Sequence, residues 1–537
     1  MAGNKYIAAA VASLFQDHTD SDCAVVFTLE LDAPVKRSHN GVQHSAIGLR
    51  QAAITVIGDP LPVVLRHASP HFAAQLSRWN DGKREARTMC TPGCNTGRPE
   101  LRIPLGSEAE LPSARAAIRF AYTGEVHVST VREVLEVRRQ AAYLQIKGCT
   151  AACDEAIRGM VEAEESGGDS SEECGAADQQ HAVLAFYACE TLWSDADEDH
   201  SFQSLISAAD QQLVSYFGNT LRVLNTPPLR RQLLDLPAVA VEALLESDSF
   251  GTDSESSVLL MLAVWMQANH YKTDAETRKR LCRLVRLVQL IKPYLSFVLP
   301  ALAEDNATTK PFTAGWFTTK VSETAFISHF ARAQKTERKQ LLVSAKGSSY
   351  DIGSPMYSFY PRQQCVPEAG LTYHWHVSQE KLEQVLEMLQ PGQEVYVNCT
   401  FDNGWESVSA QGFDWTPCLG LKHGAKAAGL YLDCKLPGAL CMRGHTPAVV
   451  SSCARLTVAR ASKACVQQLF GTGDFFIVGQ GWGSPGALPL RRLMAAGGGG
   501  GGAAVGLQLL AGWSEYLQGG KISGSLTLLR QPAGKKR

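Results

Sequence analysis

The chain is short of the features that disclose function most directly. Among its 15 cysteines there is no CxxC, and the tightest spacings, Cys90 to Cys94 and Cys149 to Cys153, each leave three residues between. A structural zinc site takes four ligands in paired knuckles, and no second cysteine pair stands at a suitable distance. Reduced thiols, several of them buried as small hydrophobes, are the expectation, with no metal and no cofactor. Long apolar runs are absent too. The longest, Val258 to Met266, is far below the roughly 20 residues that cross a bilayer. Charge of one sign is missing: Lys plus Arg number 51 against 53 Asp plus Glu, a net charge of −2, which argues against a dedicated nucleic-acid binder. Gly520-Lys521 is followed by Ile522, so there is no P-loop; GxSxG and HExxH do not occur.

Two partial matches lack their context. Gly481, Gly483 and Gly486 satisfy GxGxxG after a strand-like FFIV, but Pro485 and Pro489 stand where a helix should begin. No acidic residue follows before Glu515, so dinucleotide binding is rejected. His374 and His376 flank Trp375 in a strand-like segment and would share a face, which makes at most two metal ligands. No acid/base pair emerges from spacing, and the chain is read as a non-enzyme.

What is present is globular: of 537 residues 45% are apolar and 19% charged, enough for several cores. Composition breaks fall at the acidic, Ser/Gly-rich stretch 162–180, at 303–311 and at the glycine run 497–502. Ile7, Val11, Leu14 and Phe15 recur at helical spacing, predicting an amphipathic helix at 5–15 rather than a signal peptide. Ala24 to Leu31 and Leu101 to Leu105 read as strands. Helices are predicted behind capping boxes at Ser107/Glu110, Thr130/Glu133 and Thr252/Glu255. After Thr130, the residues Val134, Val137, Ala141 and Leu144 share one face.

From 181 to 302 the pattern is almost wholly helical. Leu281, Leu284, Val285, Val288 and Ile291 form a stripe, with Arg280, Arg283 and Arg286 on a solvated face. From Phe312 onward strands dominate: Glu394 to Phe401, Ala428 to Cys434, Ala448 to Val458 and Phe475 to Val478, with one helix from Ser378 to Leu389. An antiparallel sandwich is expected there.

The first 160 residues resemble a BTB/POZ domain, on SDCAVVF (21–27), SPHF (69–72), ARAAIRFAYTGEV (114–126) and VREVLEVRRQAAYLQIKGC (131–149). The stretch from Asp248 to Glu255, with LVRLVQL (284–290), resembles the BACK helical domain. GFDWTPCLGLK (412–422), GLYLDC (429–434), GQGWGSPGALPL (479–490) and GKISGSLTLL (520–529) look like strands of a MATH (TRAF-like) sandwich. Leu61-Pro-Val-Val-Leu65 departs from the BTB pattern by lacking its histidine, and the loop 81–97 lacks a hydrophobic-x-Glu element.

The resemblance implies a multidomain α+β chain: an α/β BTB/POZ domain over 1–161, a linker over 162–180, an all-α BACK domain over 181–303, and an antiparallel β sandwich over 312–537 that carries the glycine run. It implies a substrate adaptor of a cullin-RING ubiquitin ligase, cytoplasmic or nuclear, with no nucleic-acid or membrane partner. Such a protein dimerises through BTB, holds a cullin of the third type and presents a client protein. Ile7, Val11 and Leu14 would line the dimer seam, and Phe120, Tyr122 and Thr123 would lie near the cullin-facing helices. The alternative is a homotypic BTB scaffold or transcription-associated oligomer without ligase activity.

Overall fold

The computed structural model describes residues 23–30, 51–57, 62–89, 100–163, 181–195, 197–307, 315–345, 350–440, 448–462, 464–471, 473–491 and 510–530. The predicted helix at 5–15, nearly all of the acidic stretch 162–180 and the glycine run 497–502 lie outside these residues. The chain is mixed α and β and divides into two compact units, 1–212 and 213–537. The composition breaks at 162–180 and 303–311 do not coincide with that division, which falls inside the helix His200–Phe217.

In the first unit, strands β1 (Ala24–Glu30), β2 (Gln51–Ile57) and β3 (Glu100–Leu105) form a sheet in the order β2-β1-β3. β1 runs antiparallel to β2 and parallel to β3. A central strand is covered on both sides, and its run of Val25, Val26 and Phe27 is accordingly buried without alternation. Helices Pro62–Ala68 and Pro70–Met89 follow β2. The missing histidine does not prevent the first of them, because Leu65 still inserts fully into the core.

Ser69 separates the two helices and sets the second one's start. Its hydroxyl accepts the Phe72 amide (3.2 Å) and donates to the Leu144 carbonyl (2.5 Å), tying the SPHF segment to a helix 75 residues on. The stretch predicted as a loop from 81 is helical as far as Met89.

Helices Leu111–Thr123, Val131–Tyr143 and Cys149–Ala163 complete this part. The Thr130/Glu133 box forms as predicted, with both reciprocal bonds present, and Val134, Val137, Ala141 and Leu144 are all buried. The Ser107/Glu110 box does not form. Glu110 instead accepts the Gly106 amide (3.1 Å) and the Gln140 side chain (3.3 Å).

The second unit combines short helices with two antiparallel sheets. Its central helix, Glu255–Asn269, is buried on almost every face, with Trp265 donating its indole N–H to the Leu236 carbonyl (3.0 Å). The Thr252/Glu255 capping box is replaced by one local bond and by long-range bonds from Glu255. Thr252 donates to the Ser254 carbonyl (2.7 Å), and Glu255 points to arginines from outside the helix. The stripe from Leu281 to Ile291 is not one helix either. Helix Ala275–Leu284 stops at extended Val285, and a single 3-10 turn carries Leu287–Gln289. Leu281, Leu284, Val285 and Val288 are nonetheless buried, whereas Arg286, expected on a solvated face, is 6% exposed.

One sheet has the order β12 (Cys465–Phe470), β11 (Ala454–Ala459), β16 (Lys521–Leu528), β4 (Leu371–Ser378), β6 (Thr400–Phe401), with β15 (Leu517–Gln518) paired to β16. The other has the order β14 (Gln480–Pro489), β9 (Ala427–Lys435), β8 (Phe413–Lys422), β5 (Glu394–Asn398), with β7 (Val408–Ala410) paired to β8. A two-stranded ribbon joins β10 (Val449–Val450) and β13 (Phe476–Ile477). Phe476 makes ring contacts with Phe470 of the first sheet and Trp415 of the second, at 5.2 and 5.0 Å.

The predicted strand 448–458 is thus two strands, and the predicted helix appears as Gln379–Met388, capped by Ser378. Gly481 and Gly483 are paired to β9 and Gly486 sits in the irregularity between Ser484 and Leu488, so all three lie within strand β14 rather than in a phosphate-binding turn. Gly524 is required by proximity: a Cβ there would stand 2.2 Å from the Trp375 ring, which packs across it.

Candidate interaction surface

The Tyr122-Thr123-Gly124 motif ends helix Leu111–Thr123. Gly124 adopts a left-handed φ of 69° and donates its amide to the Phe120 carbonyl (2.8 Å), the usual way a helix is stopped. The Thr123 hydroxyl donates within the same turn, to the Arg119 and Glu125 carbonyls, and accepts the Glu125 amide, each at 3.2 Å. Tyr122 is 4% exposed. Its side chain belongs to the core. Phe120 and Thr123 are half-buried on the same helix end. Ile7, Val11 and Leu14 lie outside the described residues.

Sequence reasoning missed the arginine clusters that fix these elements. Arg138, on helix Val131–Tyr143, is buried and donates to Asp154 (2.5 Å), Asp199 (2.7 Å) and the Ser194 hydroxyl. In the second unit, Arg362 is fully buried. It donates to Glu255 (3.2 Å) and to the carbonyls of Ser247 (2.8 Å), Leu245 (2.6 Å) and Leu284 (3.3 Å). Arg286 donates to Asp248 and the Tyr360 carbonyl (2.7 Å), while its amide donates to Glu255 (2.8 Å). Glu255 and Arg362 are separated by 107 residues, so no local spacing signals the pair.

Beside this cluster is an open cleft of about 510 Å³, lined by Leu245, Asp248, Leu284, Arg286, Tyr357 and Tyr360 among others. Its groups are already engaged. Arg286 is held as described, and the Tyr357 phenol donates to Glu323 (3.1 Å). Burial, then the neighbouring Glu323 charge, push that phenol far up, so it is no base near neutrality.

A different surface remains unpaired. β14 and β12 each end a sheet and contact one another, and the β10–β13 ribbon lies against β14. β14 bonds to β9 on one side, with Trp482 51% exposed. Val449, Leu469, Phe475 and Ile477, on or beside β10, β12 and β13, are exposed as well. An edge strand carries free N–H and C=O groups, and apolar side chains beside it supply area for a partner. The only trace of this in the sequence is GQGWGSPGALPL, where a tryptophan sits among small residues.

His374 is exposed and His376 half-buried on β4, the latter 3.9 Å from Asp402. Among the described residues no group of three or more His, Cys, Asp or Glu is arranged to hold a metal, and no helix is long and apolar enough to cross a membrane. No protein-family model matches the chain, and no curated protein matches it.

Proposed function

We propose that this chain is a non-enzymatic substrate adaptor of a cullin-RING ubiquitin ligase, built as a BTB–BACK–MATH-type protein. The N-terminal unit dimerises and takes a cullin of the third type, and the C-terminal β region captures a client. Ubiquitin is transferred by recruited partners, so no residue of this chain does chemistry. The three-stranded sheet with its following helices supports the N-terminal assignment, as does Ser69 bracing the SPHF helix. The eight longer strands, four in each sheet, support the C-terminal one. The observation that carries the reading is the open β14 edge with Trp482 beside it, where an extended client segment adds as a further strand.

The test is capture of the full chain by the N-terminal region of a third-type cullin, with light scattering to follow the oligomer. Saturable binding by a dimer is expected, and Leu14→Asp, which places a charge in the seam, should yield a monomer. A folded dimer that ignores the cullin would favour the homotypic scaffold instead.

A further inference from the structure

Ser194 lies in irregular backbone between the 3-10 turn Glu190–Leu192 and the helix His200–Phe217. Its hydroxyl accepts from the Arg138 guanidinium, which is 2% exposed, also holds Asp154 and Asp199, and stands 4.5 Å over the Phe202 ring. Ser201 closes the cluster by donating to Asp154 (2.6 Å). Ser194 itself is only half-buried, and Asp195, Asp197 and Glu198 beyond it are exposed. A reachable hydroxyl in non-helical backbone, followed by solvent-facing carboxylates, is thus bonded directly to a buried ion-pair cluster.

We propose that Ser194 is a phosphorylation site for an acid-directed Ser/Thr protein kinase, and that its phosphate loosens the Arg138 cluster. A kinase with a basic substrate groove would be drawn to the carboxylates that follow the hydroxyl. In the transfer, Ser194 Oγ attacks the γ-phosphorus of Mg·ATP. The bond from that phosphorus to the β–γ bridging oxygen breaks, ADP leaves, and the hydroxyl proton passes to the kinase's catalytic carboxylate.

Before transfer one guanidinium faces two carboxylates. Afterwards the same single positive charge faces roughly two further negative charges on the phosphate. The phosphate competes for Arg138 and repels Asp154 and Asp199. Asp199 also caps the start of helix His200–Phe217 through the Phe202 amide (3.1 Å), so that helix end is released with it.

The experiment treats the full chain with an acid-directed kinase and Mg·ATP, maps the phosphate by mass spectrometry, and then follows amide hydrogen exchange. Expected is one phosphate on Ser194, lost in S194A and kept in S201A. Amide exchange near 199–205 should then be faster by on the order of tenfold, the weight of one lost charge-assisted hydrogen bond. A peptide spanning 188–203 that accepts phosphate while the folded chain does not would overturn the site, since the fold would then withhold the hydroxyl. Failure of both peptide and chain would overturn recognition by the acidic run. Stoichiometric phosphate on Ser194 with unchanged exchange would overturn the loosening.

Discussion

At the scale of single residues, the second unit depends on a buried charge pair whose removal has asymmetric consequences. Glu255→Ala leaves the fully buried Arg362 guanidinium with carbonyl partners alone, and should cost about 3–5 kcal/mol. Replacing both, as Glu255→Leu with Arg362→Met, should recover most of that loss, since well-packed apolar groups often equal a buried ion pair. Urea titration followed by Trp fluorescence would check this, and a double variant no better than the single one would refute it. Asp199 sets an acid limit on the first unit. Burial pushes its carboxyl up, but the Arg138 and Phe202 hydrogen bonds and the Arg138 charge outweigh burial and hold it below the ordinary Asp value. A carboxyl depressed by folding adds stability that is complete above its unfolded value, near ~3.9, and is lost as pH falls through the folded value. Asp199→Asn should therefore flatten the acid limb of the first unit's melting temperature against pH; an identical limb would exclude Asp199 as a source.

At the scale of elements, the legible parts were those encoded over a few residues. Thr130 and Glu133 are three apart and both bonds of their box exist, so Thr130→Ala should lower thermal stability by about 1 kcal/mol. Thr252/Glu255 has the same spacing and fails, because Glu255 is worth more to Arg362 and the Arg286 amide than to its own helix start. The stripe through Arg286 fails for the same reason: apolar period marks what is buried, but a guanidinium with distant oxygen partners is buried as well. The candidate edge was less legible still. Only the family resemblance marks 479–490 as strand-like, because the glycines and prolines of β14 break any apolar alternation, and its pairing with β9 is settled only in three dimensions. The hairpin between β7 and β8 offers an element-scale test. Its turn residues Gln411 and Gly412 have φ of 53° and 81°, and a Cβ at Gly412 would stand 2.5 Å from the Tyr294 ring. Gly412→Ala should destabilise the second unit by about 1–3 kcal/mol and speed amide exchange over 408–413. Unchanged exchange there would mean that the turn tolerates displacement.

At the scale of the molecule, the helices after Leu213 and the two sheets form one folded body. Their shared bonds include Arg362 with Glu255, Asp253 with the Gln411 amide (2.6 Å), and Tyr294 with the Gly412 carbonyl. A fragment ending at residue 310 retains Glu255, Asp253 and Tyr294 but loses every one of these partners. It should aggregate or expose apolar surface where the full chain does not, as dye binding and light scattering would report; a monodisperse, cooperatively melting 1–310 fragment would show those bonds to be dispensable. Client and cullin experiments are accordingly best framed with the intact polypeptide.

The grip on the β7–β8 hairpin has a further consequence. Asn225 takes both the amide and the carbonyl of Ser409 (2.7 and 2.9 Å), Asp253 takes the amide of Gln411, Ser257 the amide of Gly412 (3.1 Å), and Tyr294 its carbonyl. Every one of these contacts reads peptide groups rather than side chains. The information is therefore one-sided: a mutational library should accept few letters at 225, 253 and 294, because each of those side chains reads the path of the hairpin's backbone and not anything written on it.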